Sequence, residues 1–333
     1  MRIIIPMAGR GTRLRPHTLT VPKPLLPIAG KAIVQRLVED IVEVCNEPVE
    51  EIAFIIGDFG QQVEKDLLAV AQKVGSKGKI YYQDKPLGTA HAILCAKESL
   101  QGDVVIAFAD TLFKADFKLD KKHDGVIWVE KVQNPSSYGV IKTDKDGYIT
   151  DFIEKPTEFV SDLAIIGIYY IKDGEMLRKE MQYLLDNDIK EKGEYQLTNA
   201  LESMKQKGIK FAPGKITEWL DCGNKDTTVY TNQRYLEYIK GTKLKADSAK
   251  IVNSTIIEPV YLGENVEIYH SVIGPHVSIG DNTKVKNSVI QNSIIQTNTQ
   301  IENANLKDSM IGNHVKYQKE ATDLSVGDYN VIK

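Results

Sequence analysis

Cysteine is scarce. Cys45, Cys95 and Cys222 are the three in a chain of 333 residues, far apart and without C-x-x-C spacing. That excludes a disulfide scaffold and a thiolate zinc site and makes a reducing, cytoplasmic setting the expectation. Long hydrophobic runs are missing as well: nothing approaches ~18 consecutive apolar residues, so no membrane-spanning helix and no membrane partner is expected. Nor does charge of one sign accumulate. The 42 Lys+Arg against 45 Asp+Glu leave a net −3, with no basic field to make nucleic acid the partner. The six histidines (His17, His91, His123, His270, His276 and His314) share no metal-ligand spacing, and His17 and His91 read as lining or packing residues. The stretch MRIIIPMAGRG turns glycine-rich and basic after a few apolar residues and does not read as a secretory signal. What is present is a globular composition, 42% hydrophobic and 26% charged, long enough for about two domains with real cores.

Residues 1–240 alternate short apolar runs with helical patterns. The spacing predicts strands at 2–5, 52–56, 80–82 and 104–108, and helices at 32–45, 60–74 and 89–99. Such alternation means crossover connections and a mostly parallel, Rossmann-like α/β sheet, which binds ligands beyond the carboxyl ends of its strands. After about residue 244 charge thins and a six-residue period takes over. Val260, Val266 and Val272 follow it, as do Ile273, Ile279 and Val285, and then Ile295 and Ile301. Asn287-Ser288-Val289-Ile290 returns five residues later as Asn292-Ser293-Ile294-Ile295. Residues 251–316 hold eleven such units, or three to four coils of a parallel β-helix at three units per coil. The expected division is therefore 1–240 and 245–333, with 317–333 as a cap or loosely held tail.

Two segments near the start carry chemistry. Met7-Ala8-Gly9-Arg10-Gly11-Thr12-Arg13-Leu14-Arg15-Pro16 follows the first strand. Its small residues let a ligand approach the backbone, whose amides can bind phosphate oxygens. Arg10, Arg13 and Arg15 on one short loop repel one another unless an anion sits among them. The loop lacks the Gly-Lys-Ser/Thr ending of a P-loop and the third glycine of a dinucleotide fingerprint. In Val21-Pro22-Lys23-Pro24-Leu25-Leu26-Pro27-Ile28 the prolines hold Lys23 at a definite place. Taken singly, these would be a surface turn and a rigid loop. Together they make an electropositive clamp for phosphates.

GRGTRLRPHTLTVPKPLLPI resembles the signature of the sugar-1-phosphate nucleotidylyltransferases. Within that family the chain is most similar to the glucose-1-phosphate thymidylyltransferase branch with a C-terminal left-handed β-helix. The likeness covers nearly the whole chain. One departure is Ala8-Gly9, where the family commonly has two adjacent glycines; the extra methyl bears on base preference.

The resemblance implies roles for later residues. Ala8, Gly9, Gly11, Thr12, Gln83, Gly88 and Thr89 would bind the nucleotide. Gln83 would read the base, since its amide offers a donor and an acceptor to the N3–H and O4 of thymine or uracil, and Gly88 would permit close approach. Gly139, Glu154, Lys155, Gly167 and Tyr169 would bind the sugar phosphate, with Lys155 on its phosphate. Asp110 and Asp221, each at the end of an apolar approach, match aspartates that hold Mg²⁺, a hard cation suited to two carboxylates plus phosphate oxygens and water. Gly193-Glu194-Tyr195-Gln196-Leu197-Thr198 is a family motif with a supporting role.

The implied reaction is nucleotidyl transfer from a nucleoside triphosphate, dTTP by preference, to a sugar 1-phosphate such as glucose 1-phosphate, with Arg13 and Lys23 as the catalytic cations. The alternatives are a UTP- or GTP-dependent member acting on another hexose 1-phosphate such as mannose 1-phosphate, a hexapeptide-repeat acyltransferase using His270, His276 or His314, and a non-catalytic sensor. The flat, partly apolar sides of a β-helix make a homo-oligomer the expectation.

Overall fold

A computed structural model describes residues 1–333 apart from Arg10, Phe117, Ala321 and Lys333. Arg10, one of the three arginines expected in the clamp, thus lies outside the described residues. Contacts divide the chain into two compact units, Met1–Leu26 with Lys31–Asn224, and Pro27–Gly30 with Lys225–Lys333.

The first unit opens as the alternation predicts: β1 (Arg2–Pro6), α1 (Ile33–Cys45), β2 (Glu51–Ile56), α2 (Gln61–Lys73), β3 (Lys77–Tyr82), α3 (Thr89–Leu94) and β4 (Val104–Ala107). There follow β5 (Thr111–Lys114), β6 (Gly125–Lys131), β7 (Gly139–Thr143), β8 (Ile149–Glu154), β9 (Leu163–Ile171), α4 (Gly174–Asp186), α5 (Leu197–Gln206), β10 (Phe211–Gly214) and β11 (Glu218–Asp221). The main sheet runs β8-β7-β9-β4-β1-β2-β3, with β6 beside β9 and β10 beside β6. β1 is parallel to β2 and β4, and β2 to β3. Ile3, Ile4 and Ile5 are wholly buried, as a strand covered on both faces must be. Beyond β4 the sheet becomes mixed, because β7, β8 and β9 pair antiparallel with their neighbours. The helical pattern at 89–99 is a helix only to Leu94. Beyond it the chain tightens into i to i+3 turns, with Ala96, Lys97 and Ser99 amides donating to the carbonyls three residues back.

Since β1 has β2 on one side and β4 on the other, connections leave it in both directions. A crevice at its carboxyl end is the geometric result. The segments after β1, β3 and β4 all emerge there.

The second unit joins α6 (Lys225–Ile239) to three parallel sheets of five, four and four short strands, the pattern of a left-handed β-helix. Stacked partners lie 17 residues apart in the early coils, Lys250 against Glu267 and Glu267 against Lys284. They lie 16 apart in the later ones, Lys284 against Gln300 and Gln300 against Lys316. The hexads are thus interrupted once or twice per coil by five-residue units. Ile268 stacks on Val285 and Ile273 on Ile290, and all four are fully buried. The corners carry left-handed residues, mainly asparagines, whose side-chain amides also bond from coil to coil: Asn265 to Asn282 at 3.1 Å and Asn287 to Asn303 at 3.2 Å. This accounts for the three histidines of the repeat. His270, His276 and His314 occupy three different corners, each at positive φ, and His276 Nε2 is held 2.6 Å from Glu237 Oε1 on α6. They therefore lie apart from one another, at separate corners of the coil.

Candidate active site

At the carboxyl end of β1 lies a cavity of about 370 Å³. Of the expected clamp, Arg13 and Lys23 line it and Arg15 does not. Every expected nucleotide-binding residue lines it, Ala8, Gly9, Gly11 and Thr12 from the segment after β1, and Gln83, Gly88 and Thr89 from the segment after β3. A side chain at Gly9 would meet nothing within 4 Å, so the backbone there is open to a ligand. Gly11 is small for another reason. At φ 63°, a Cβ on it would lie 2.7 Å from Lys23 Cβ, so its smallness lets the two signature segments pack together. The Thr18 hydroxyl also donates to the Gly11 carbonyl at 2.8 Å. Held this way, Lys23 is nearly buried, while Arg13 remains exposed at the rim.

Lys23 Nζ lies 3.0 Å from Asp110 Oδ2, and Asp110 lines the cavity. Asp221 does not line it, but its position follows from the pairing of β5 with β11, which sets Asp221 opposite Thr111, and the Cys222 amide donates to the Asp110 carbonyl at 3.0 Å. Residues 111 apart in the chain are thus neighbours. Asp221 Oδ1 accepts from the amide of Gly223, which lines the cavity. The Tyr138 phenol reports this crowding: burial pushes its pKa up, Asp221 and Asp110 add to the rise, and Arg13 opposes it. Among the described residues no three His, Cys, Asp or Glu groups gather as a ready-made metal cage. Two aspartates on neighbouring backbone, one already holding a lysine ammonium, suit a hard divalent cation that takes its other ligands from phosphate and water.

The segment after β3 is stitched to the Gly193–Thr198 motif. The Tyr195 amide donates to the Leu87 carbonyl and the Ala90 amide to the Tyr195 carbonyl, both at 2.9 Å. The Thr89 hydroxyl donates to Gln196 Oε1 at 3.1 Å and accepts from the Leu197 amide at 2.8 Å. Gly88 lines the cavity and, at φ 116°, also admits the backbone of Tyr195, whose carbonyl oxygen would lie 2.4 Å from a Cβ there. The supporting role of the motif is therefore to fix the shape of the cavity wall, and Glu194 lines the cavity as well. Gln83 Nε2 donates to the Gly88 carbonyl at 3.3 Å and lies 3.1 Å from His91 Nδ1.

The expected sugar-phosphate residues do not line this cavity and form a second group beside it. Gly139 pairs with Glu154 across β7 and β8. A Cβ on Gly139 would approach Glu154 Oε2 to 3.1 Å, and the Thr198 hydroxyl donates to the same oxygen at 3.3 Å. Burial raises the Glu154 pKa, against the pull of Lys155, whose ammonium lies 3.6 Å from Oε1. Gly167 and buried Tyr169 on β9 reach the cavity through Phe108, which lines it. The Phe108 amide donates to the Gly167 carbonyl at 3.0 Å, and its ring stands edge-on to Tyr169 at 6.2 Å. Sequence reasoning missed Phe108 and Glu194, although both lie inside segments it had singled out.

The chain is 30% identical to the bifunctional protein GlmU of Methanococcus vannielii, over 95% of this chain and 79% of that protein. It is 27% identical to a glucose-1-phosphate thymidylyltransferase of Streptomyces antibioticus, over 100% of this chain and 99% of that one. A solved UDP-glucose pyrophosphorylase complexed with UDP-glucose superposes with a TM-score of 0.57 at 24% identity, covering 71% of this chain and 98% of the other, a likeness of fold alone. The nucleotidyl transferase family matches residues 2–237, and these include every cavity-lining residue described above: the chain belongs to the nucleotidyl transferase family.

Proposed function

We propose that the protein joins a nucleoside triphosphate to a sugar 1-phosphate, giving a nucleotide sugar and pyrophosphate. The observation that carries this reading is the convergence of Arg13, Lys23, Gln83 and Asp110, from four separate segments, on one cavity, with Glu154 and Lys155 grouped beside it. A phosphate oxygen of the sugar 1-phosphate attacks the α-phosphorus in line, and the bond from that phosphorus to the bridging oxygen breaks as pyrophosphate leaves. Both reactants are anions, so the chain's task is to neutralise and align them. Arg13 stabilises charge on the leaving pyrophosphate, Lys23 the α-phosphate, and Lys155 positions the incoming phosphate. The attacking oxygen is ionised near neutral pH, so no general base is required. Asp110 and Asp221 would hold the divalent ion, magnesium in this reading, which when bound supplies positive charge to the phosphates.

The preferred pair is dTTP with glucose 1-phosphate, in line with the full-length similarity to the Streptomyces antibioticus enzyme. UTP is the second reading, because Gln83 meets an edge that thymine and uracil share. A pyrophosphate-release screen crossing dTTP, UTP, GTP and ATP with glucose, mannose, galactose and N-acetylglucosamine 1-phosphates tests both. Release with dTTP and glucose 1-phosphate above all other pairs is expected, and no release with any pair refutes the transfer.

A further inference from the structure

Gln83 carries the base contact in the reading above, and its surroundings restrict what that contact can be. A glutamine amide has two N–H donors on Nε2 and one acceptor oxygen. Here Nε2 faces two acceptors at once, the Gly88 carbonyl at 3.3 Å and His91 Nδ1 at 3.1 Å. The reverse amide orientation would set Oε1 against the Gly88 carbonyl, two acceptors facing each other, so the carbonyl selects this one. With Nε2 toward it, His91 Nδ1 must accept, which requires the neutral ring protonated at Nε2. Burial of His91 lowers its pKa and favours that neutral form. His91 lies on α3, one turn below Gly88, so the same short segment supplies both acceptors.

We propose that His91 is a positioning residue for base selection: by accepting from Gln83, it turns the glutamine into an acceptor-only reader of the nucleotide base. The inference deepens the transfer reading, since the ligand is the base of the same triphosphate. An acceptor at Gln83 Oε1 suits a base that presents a ring N–H on its pairing edge, as uracil and thymine do at N3 and guanine at N1. Cytosine N3 and adenine N1 are bare acceptors and place one lone pair against another. The direct base contact is therefore a single hydrogen bond from the base to Oε1. O4 of uracil or thymine gains nothing from this residue.

UTP and CTP share ribose and phosphates and differ only on this edge, which makes them the probes. Isothermal titration of each into the full chain with magnesium gives the affinity ratio. In the unsubstituted protein UTP should bind at least about tenfold tighter than CTP, the cost of a mismatched buried polar contact. In His91→Leu the Gly88 carbonyl still holds the amide orientation, but one Nε2–H loses its acceptor and is free to donate to a bare ring nitrogen such as cytosine N3, so the ratio should fall to within about threefold. His91→Asn places its Oδ1 near the position of Nδ1 and should restore the preference. His91→Gln reaches toward Nε2 instead and should not. Equal UTP and CTP affinities in the unsubstituted protein overturn the inference. So does a ratio that survives in His91→Leu, or one lost equally in His91→Leu and His91→Asn. The transfer reading fails on a different result: no pyrophosphate release with any sugar 1-phosphate while the UTP preference stands.

Discussion

Single side chains here do work that their type alone would not reveal. Lys23 is nearly buried, and its ammonium is met by the partly exposed carboxylate of Asp110, the pairing that a buried charge requires. Arg13→Ala and Lys23→Ala should each lower kcat by roughly 10²–10³, the effect typical of losing one charge-stabilising group; pyrophosphate release under saturating substrates checks this. Asp110→Asn should abolish activity across a magnesium titration, with tryptophan fluorescence unchanged to show that the fold persists. Glu154 has a thermodynamic signature of its own, since burial raises its folded-state pKa above the ordinary glutamate value. Between the unfolded and folded pKa values the native state then binds more protons, so stability falls as pH rises. Below both values the group contributes no difference. Glu154→Gln should accordingly leave Tm unchanged at low pH and raise it at neutral pH, as thermal melts at the two pH values will show.

Elements place these side chains. The β5–β11 ribbon turns a long separation in sequence into adjacency of Asp110 and Asp221. The start of α3 is held against the start of α5 by Thr89, Tyr195 and Leu197, which keeps Gln83, Gly88 and His91 in one geometry. Gly88 is the close contact in that joint. Gly88→Ala would combine a backbone conformation foreign to side-chain-bearing residues with a clash on Tyr195, and should cost about 1–3 kcal/mol. Urea unfolding followed by tryptophan fluorescence measures this in the right place, because Trp128 and Trp219, the two tryptophans of the chain, both belong to the first unit. A midpoint equal to that of the unsubstituted protein would show that the joint yields without strain.

At the scale of the molecule two architectures share one chain, an α/β unit that holds the cavity and a β-helix unit. The β-helix has outer faces with exposed apolar residues such as Ile251, Ile257 and Val289, of the kind another subunit can cover. Size-exclusion chromatography with light scattering should return a multiple of the single-chain mass. A monomer at micromolar concentration would leave the β-helix without that role. Among the described residues no helix is long and apolar enough to cross a membrane.

The sequence by itself determined whatever depends on near neighbours. The run Ile3–Ile5 made a doubly covered strand, residues 33–45 an amphipathic helix, and the hexads a β-helix, because apolar period dictates which face is buried. The signature around Arg13 and Lys23 likewise marked two segments that line the cavity, since its prolines and glycines act over a few residues. Tertiary structure alone decided what depends on remote partners. It turned the sheet antiparallel beyond β4, ended α3 at Leu94 and closed Gly88 against Tyr195. It also set the Gln83 amide between the Gly88 carbonyl and His91 and Lys23 on an aspartate 87 residues away. A hydrogen bond satisfies whichever polar group the folded chain brings within about 3 Å, and nothing in a side chain's own identity names that partner.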